Sequence, residues 1–217
     1  FLQTCWTALE HAGRLDPDAA PAPVGVFAGA GGVLAGYLPG LLAGARPQDT
    51  TASLEHLGND KDFLTTRVSY KLNLTGPSLA VQTACSTSLV AVHLAVQSLL
   101  AGERGMALAG GVTVRVPAEQ GYLHRDGSIL APDGRCRPFD ADAAGTVFGS
   151  GVGAVVLRLL ADAIRDGDTV YAVLRGTAVT NDGGGKTSYG ASSEPGQLAA
   201  MREAIAVSGV DPATIGY

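Results

Sequence analysis

Residues 86–101 constrain the fold of this chain more than any other stretch, because they read as a helix with apolar side chains on nearly every face. Alanines fill much of the surface between the larger residues, among them Ala91 and Ala95. A helix of this kind is enclosed by other elements in the middle of a domain. The larger apolar residues are Leu89, Val90, Val92, Leu94, Val96, Leu99 and Leu100.

Short apolar runs alternate with helical patterns along the whole chain, which predicts an α/β fold with a largely buried sheet. The predicted strands span residues 24–29, 78–83, 106–114, 151–158 and 169–179. The predicted helices span residues 1–13, 60–71, 86–101, 160–166 and 194–208, with Asn59 or Asp60 as the N-cap of the second. Residues 122–142 are polar and rich in turn formers.

Composition bounds the function. A net charge of −5 argues against a nucleic-acid or anionic-membrane surface. Three widely spaced cysteines form no CxxC pair and no even set, so neither a zinc site nor a disulfide framework is indicated. The simplest setting is a reducing one, which suggests a cytoplasmic location. No uninterrupted apolar run reaches the length of about 18 residues that a membrane span needs.

Cys85 stands where a predicted strand meets the start of the apolar helix. The first backbone N–H groups of a helix have no intrahelical partners and carry the positive end of its dipole. A thiol at this point is biased towards the nucleophilic thiolate, which suits a covalent acyl carrier. The alternative is a buried structural cysteine, a common fate of a free thiol. The local pattern alone leaves both open.

Longer sequence motifs favour a catalytic role for Cys85. The segments "TACSTSLVAVHLAVQSL" and "DKDFLTTRVSYKLNLTGPSLAVQTACSTS" resemble the active-site region of β-ketoacyl synthases, specifically the ketosynthase domain of modular type I polyketide synthases. "GSILAPDGRCRPFDADAAGTVFGSGVGAVVLRLLADAIRDGD" follows in the family's order. The resemblance implies a thiolase-like, layered αβαβα fold. Residues 1–217 would be a partial ketosynthase domain truncated at both ends, with most of the N-terminal half and the start of the C-terminal half. The family's opening strand, expected at the centre of its first sheet, would precede Phe1.

The same resemblance implies a reaction and partners. Cys85 would accept an acyl chain from the phosphopantetheine arm of an acyl carrier protein, with no cofactor or metal bound directly. A malonyl-type extender would lose carbon dioxide, and its carbanion would attack the acyl-cysteine in a decarboxylative Claisen condensation. The domain would work as a homodimer beside other polyketide synthase domains, with the strand over residues 78–83 pairing across the two-fold axis.

Some family features differ or are missing. The family uses two histidines, in "HGTGT" and "NIGH" motifs, and neither motif occurs here. His93 lies too far along the helix to be the base of Cys85, and an ordinary helix-face role is predicted for it. Gln82 stands where the family usually has Asp, and Ser150 where many members have Glu. Only Cys85 is therefore carried over as a catalytic residue.

Two hypotheses from different classes follow. The first is a condensing acyltransferase with Cys85 as the acyl acceptor. The second is a non-catalytic scaffold of the same fold that serves dimerisation and carrier-protein docking. The acyl substrate, its chain length, the extender unit and the neighbouring domains cannot be inferred from the sequence.

Overall fold

A computed structural model describes residues 1–14, 23–31, 60–103, 105–115 and 121–217. The helices are α1 (Leu2–His11), α2 (Phe63–Leu72), α3 (Thr87–Leu100), α4 (Leu160–Arg165) and α5 (Glu194–Ser208). The strands are β1 (Val24–Ala30), β2 (Ser78–Ala80), β3 (Met106–Thr113) and β4 (Gly151–Arg158). Two 3₁₀ turns cover Ala84–Ser86 and Pro212–Thr214. Within these ranges no helix is both long and apolar enough to cross a membrane.

The strands of the described residues form one mixed sheet in the order β2-β1-β3-β4. β2, β1 and β3 run parallel, and β4 is antiparallel to β3, with Met106 opposite Arg158. Among the described residues β1 pairs directly with both β2 and β3. The expected position of an earlier strand at the centre of the sheet stays a prediction, because that strand would precede Phe1.

Strand alternation directs side chains from the sheet into two apolar clusters. Val24 and Val26 of β1 face α1 and α2, where they meet Cys5, Leu9 and Val68. The next residue, Phe27, points to the opposite face and packs with the α3 side chains Ala91, Ala95 and Leu99. The result is a layer of helices on each side of the sheet, which confirms the α/β prediction. A fully buried side chain such as Phe27 contributes about 1.5–3 kcal/mol relative to exposure.

Only one face of α3 is enclosed by described residues. Ala91 and Ala95 are fully buried against the sheet, and these small side chains let the helix backbone approach β1 and β3 closely. Leu89 and Leu100 are 74% and 68% exposed. The prediction of a helix buried all round is thus confirmed for the sheet-facing side and wrong at Leu89 and Leu100, while His93 contacts Thr177 away from the sheet.

β4 and α5 have the predicted boundaries, and the other predicted elements that the structure contains differ by one to three residues at one or both ends. The ends of α5 carry clear signals: Ser193 caps its start by accepting from Gly196 N, and the left-handed Gly209 follows its last residue. β1 is longer by Ala30. α2 begins at Phe63 after Asp62, not at residue 60, because Asp60 instead accepts the Asp62 N–H in a turn. Asn59, the other candidate cap, lies outside the described residues.

The predicted strand over residues 169–179 is wrong, because this segment pairs with no strand among the described residues. Its neighbours are helices: Arg175 donates to Ser208 O at the end of α5, and Gly176 lies against Ala204 of the same helix. Thr177 contacts α3 through His93. A segment rich in β-branched and apolar residues becomes a strand only when a neighbouring strand shares backbone hydrogen bonds with it.

An ionic network ties the end of α1 to the region after β4. Arg158 pairs with Asp166 and Asp168. Arg14, which follows α1 and is distant in sequence, also pairs with Asp168. Hydrogen bonds from Arg165 and Arg158 lower the pKa of Asp166 to about 2. The stabilisation from this carboxylate is therefore present above its unfolded pKa, about 3.9, and is lost as the pH falls through about 2.

We expect Arg158→Met to lower the melting temperature by a few degrees at pH 7, because Asp166 and Asp168 each lose one of their arginine partners. The difference between variant and parent should shrink as the pH falls below about 4, where the carboxylates of the unfolded chain become protonated while those of the folded parent stay ionised. Arg202→Met is the matched control, since the structure shows Arg202 exposed on α5 with no ion pair inside the described ranges. Thermal unfolding between pH 7 and pH 3 measures both. A difference that stays constant down to pH 3 would contradict the assignment.

Candidate active site around Cys85

Cys85 lies in the 3₁₀ turn Ala84–Ser86, directly before α3, and its side chain is exposed. The sequence correctly placed it between a strand and the N-terminus of the apolar helix. The strand itself is shorter than expected: β2 ends at Ala80, and residues 81–83 lead into the turn. We call residues 81–87 the cysteine loop.

Side-chain hydrogen bonds hold the cysteine loop together. Ser86 Oγ donates to Thr83 O (2.9 Å) and lies 3.0 Å from Thr83 Oγ1. Thr87 Oγ1 accepts from Thr83 N (3.0 Å) and donates to Ala84 O (2.8 Å). Ser86 occupies the N-cap position but makes no capping bond to α3. The hydroxyl groups around Cys85 therefore fix the turn and leave the first N–H groups of α3 without a side-chain acceptor.

The backbone next to the thiol is in a conformation that L-residues rarely adopt. Ala84 has φ = 54°, in the left-handed region. For a residue with a Cβ this costs of order 1 kcal/mol and persists only where surrounding contacts determine it. Thr83 and Thr87 supply those contacts from both sides of Ala84. Such strain turns the chain sharply, so that residue 85 is presented at the surface and not in the core.

The cysteine loop rests on the end of β1, where only glycine fits. A Cβ on Gly29 would lie 1.9 Å from Val81 O and 2.4 Å from Thr87 Cγ2. Val81 N also donates to Ala28 O (2.9 Å), which brings the two backbones together. Gly29 was not predicted as a site residue. The one signal for it was the run of small residues "AGAGG" at the end of a strand pattern.

The other two cysteines differ from Cys85. Cys5 lies on α1 and is fully buried, and burial raises the pKa of its thiol to about 11. It is therefore a poor nucleophile at neutral pH. Cys136 is exposed in a loop, with Sγ 3.8 Å from Thr146 Oγ1. Cys136 is neither on a helix nor in a 3₁₀ turn.

The described histidines have partners in other parts of the fold. His93 Nδ1 lies 2.9 Å from Thr177 Oγ1, which agrees with a helix-face role. His11 Nε2 bonds Tyr171 (3.0 Å), and His124 Nδ1 bonds Leu130 O (3.2 Å). His56 lies outside the described residues. Among the side chains that the structure describes, no three His, Cys, Asp or Glu gather where they could hold a metal ion.

Comparisons with known proteins agree with this geometry. The sequence-family model of the β-ketoacyl synthase N-terminal domain matches residues 1–163, and the family model of the C-terminal domain matches residues 171–217. A phenolphthiocerol/phthiocerol polyketide synthase of Mycobacterium tuberculosis is 50% identical over 224 residues, which cover 100% of this chain and 15% of that protein. Phthioceranic/hydroxyphthioceranic acid synthase of the same organism is 42% identical over 216 residues and is covered to 10%. The chain thus spans a small part of these relatives.

Solved structures give the same result for the fold. Ketosynthase twelve of the bacillaene polyketide synthase of Bacillus amyloliquefaciens superposes on the whole chain with a TM-score of 0.88 at 33% identity, over 37% of its own length. The ketosynthase from module 1 of the bacillaene synthase gives 0.85 at 36%, over 39% of its length. These matches confirm the expected thiolase-like α/β fold. The family models cover nearly the whole chain, and the fold agrees with them. The chain therefore belongs to the β-ketoacyl synthase family, in which it is similar to the ketosynthases of polyketide synthases.

Proposed function

We propose that this chain is the acyl-accepting part of a β-ketoacyl synthase and that Cys85 is its nucleophile. The observation that carries the proposal is the exposed thiol on a strained, hydrogen-bonded turn at the N-terminus of α3. In the first step Cys85 Sγ forms a bond to the thioester carbonyl carbon of an acyl group. The bond from that carbon to the pantetheine sulfur breaks, and the carrier leaves as a free thiol.

The second step is condensation. A malonyl-type extender on a carrier protein loses carbon dioxide, and the resulting carbanion forms a carbon–carbon bond to the acyl carbon. The bond to Cys85 Sγ breaks, and the product is a β-ketoacyl thioester on the carrier. The two histidine motifs expected to stabilise the enolate charge are not in this sequence. The complete condensation is thus proposed for the longer protein to which such a sequence belongs.

The proposed partners are an acyl carrier protein, which brings the phosphopantetheine arm, and adjacent polyketide synthase domains. A homodimer through β2 is also proposed. β2 is an edge strand of the described sheet, and Leu79 within it is half exposed. An unpaired edge with an apolar side chain is a surface that a second strand can pair with. A cytoplasmic setting is consistent with three free cysteines.

Acyl loading separates this function from that of a scaffold. The complete polypeptide that carries this sequence would be incubated with an acyl-pantetheine thioester, and the modified peptides identified by mass spectrometry. We expect an acyl adduct on Cys85 and none on Cys136, which is also exposed. An absent adduct, or equal loading of the two thiols, would reject the nucleophile and favour a scaffold that only dimerises and docks carriers.

A further inference from the structure

The parallel ladder between β1 and β2 ends at Ala28, two residues before the end of β1. Ala28 is in register with Ala80, and Val81 N donates to Ala28 O (2.9 Å). Gly31 N donates to Val112 O (2.7 Å) on the β3 side. Because successive residues of a strand direct their backbone groups to opposite sides, the N–H and C=O of Ala30 face the β2 side. β2 has already ended there, so no strand backbone meets them.

The side chain of Gln82 takes the place of the missing strand. We assign the orientation of its amide from the neighbouring backbone groups, so that Nε2 donates to Ala30 O (3.1 Å) and Oε1 accepts from Ala30 N (3.2 Å). A primary amide offers one donor side and one acceptor side, as a peptide group does. Gln82 therefore continues the β1 ladder while its own backbone turns away. This explains why β2 stops at Ala80 and does not run on to residue 83.

This pairing anchors the cysteine loop at its entry, three residues before the thiol. Beyond it, Thr83 and Thr87 hold the left-handed Ala84, and the loop then enters α3. We propose that Gln82 is a positioning residue that holds Cys85 in the geometry needed for attack on a thioester. The proposal rests on the function of Cys85 proposed above. An aspartate, usual in the family at this position, could not make the same pair, because an ionised carboxylate has no donor for Ala30 O.

Gln82→Glu tests this inference, because the two side chains have the same shape. When ionised, the introduced carboxylate places two acceptors near Ala30 O and loses the donated bond. When protonated, the introduced carboxyl group regains a donor and can form the same pair. The measurement is the rate of alkylation of Cys85 by iodoacetamide, expressed as the ratio of variant to parent from pH 8 to pH 4. An uncharged variant, Gln82→Met, separates loss of the pair from any effect of the added negative charge on the thiol.

We expect a ratio of about 0.1 at pH 7.5, rising above about 0.5 at pH 4 as a carboxyl with an ordinary pKa near 4.3 becomes protonated. A purely structural loss would not recover in this way. Gln97→Glu makes the same change on an exposed position of α3 and should keep a ratio within about twofold of 1 throughout. A Gln82→Glu ratio that stays near 1 at pH 7.5, or that stays low at pH 4, would overturn the proposal.

Gln82→Met keeps the inference falsifiable if the glutamate variant does not fold at neutral pH. It preserves length and volume but has neither donor nor acceptor for Ala30. Its ratio should be about 0.1–0.3 at every pH, and a value near 1 would overturn the positioning role. Alkylation does not require acyl transfer. Failure of the parent to load an acyl group would therefore reject the proposed function, while the alkylation ratios still decide the role of Gln82.

Discussion

Cys85→Ala should abolish acyl loading while the domain stays folded. Removing the nucleophile leaves no atom to carry the acyl group, and loss of a catalytic nucleophile lowers a rate by roughly 10³-fold or more. The side chain is exposed, so its removal opens no cavity, and stability should change by less than about 0.5 kcal/mol. Both effects are measured on the complete polypeptide, the first by adduct mass and product formation and the second by urea unfolding.

Cys136→Ala is the matched control, because it removes an exposed thiol that lies in a loop away from any helix N-terminus. It should load at the parent rate. If Cys85→Ala still accumulates the adduct on the protein, another residue is the acceptor and the proposed mechanism is wrong. If loading stops but condensation continues, the acyl-cysteine is not on the reaction path.

The elements that the sequence predicted well are those set by local pattern. β4 begins at a glycine, and α5 is bounded by a serine cap and a left-handed Gly209, so α5 carries its own start and stop signals. Cys85 was placed at the right junction because a strand pattern, a cluster of small hydroxyl residues and an apolar helix follow in order. All of this information lies within about 25 consecutive residues.

The elements that the sequence missed depend on partners far away in the chain. Residues 169–179 have a strand-like composition, yet they lie against α3 and α5 through Thr177 and Gly176. The same limit applies to residues 81–83, where a side chain replaces the backbone ladder. Local strand propensity shows that a segment is compatible with a sheet, but it forms a strand only when another strand pairs with it.

The support of the cysteine loop was also beyond sequence reasoning. Gln82 was noted only as a polar residue in place of an aspartate, because its pairing with Ala30 depends on where β1 ends relative to β2. Gly29 is far from Cys85 along the chain and meets the loop only because β1 ends beside it. The nucleophile can be recognised locally, whereas the surface that holds it is assembled from separate strands and their ends.

Gly29→Ala should therefore lower the stability of the fold and change the reactivity of the Cys85 thiol. Its new Cβ would approach Val81 O to 1.9 Å, and a backbone carbonyl cannot rotate away as a side chain can. Separating β1 from the cysteine loop should cost about 2–3 kcal/mol, or a fall of about 5–10 °C in melting temperature. Because Thr87 Cγ2 is displaced too, the alkylation rate of Cys85 should change severalfold at a temperature where the variant is still folded.

Gly111→Ala is the control that isolates this close contact. Gly111 is the register partner of Gly29 on β3, but a Cβ there would meet Gly29 O at 3.4 Å and Ser88 Cβ at 3.6 Å, which are ordinary contacts. It should change the free energy of unfolding by less than about 1 kcal/mol and leave Cys85 alkylation near the parent rate. Equal effects of the two substitutions would show that the sheet tolerates no added methyl group anywhere. A harmless Gly29→Ala would show that the cysteine loop is not seated on β1 as described.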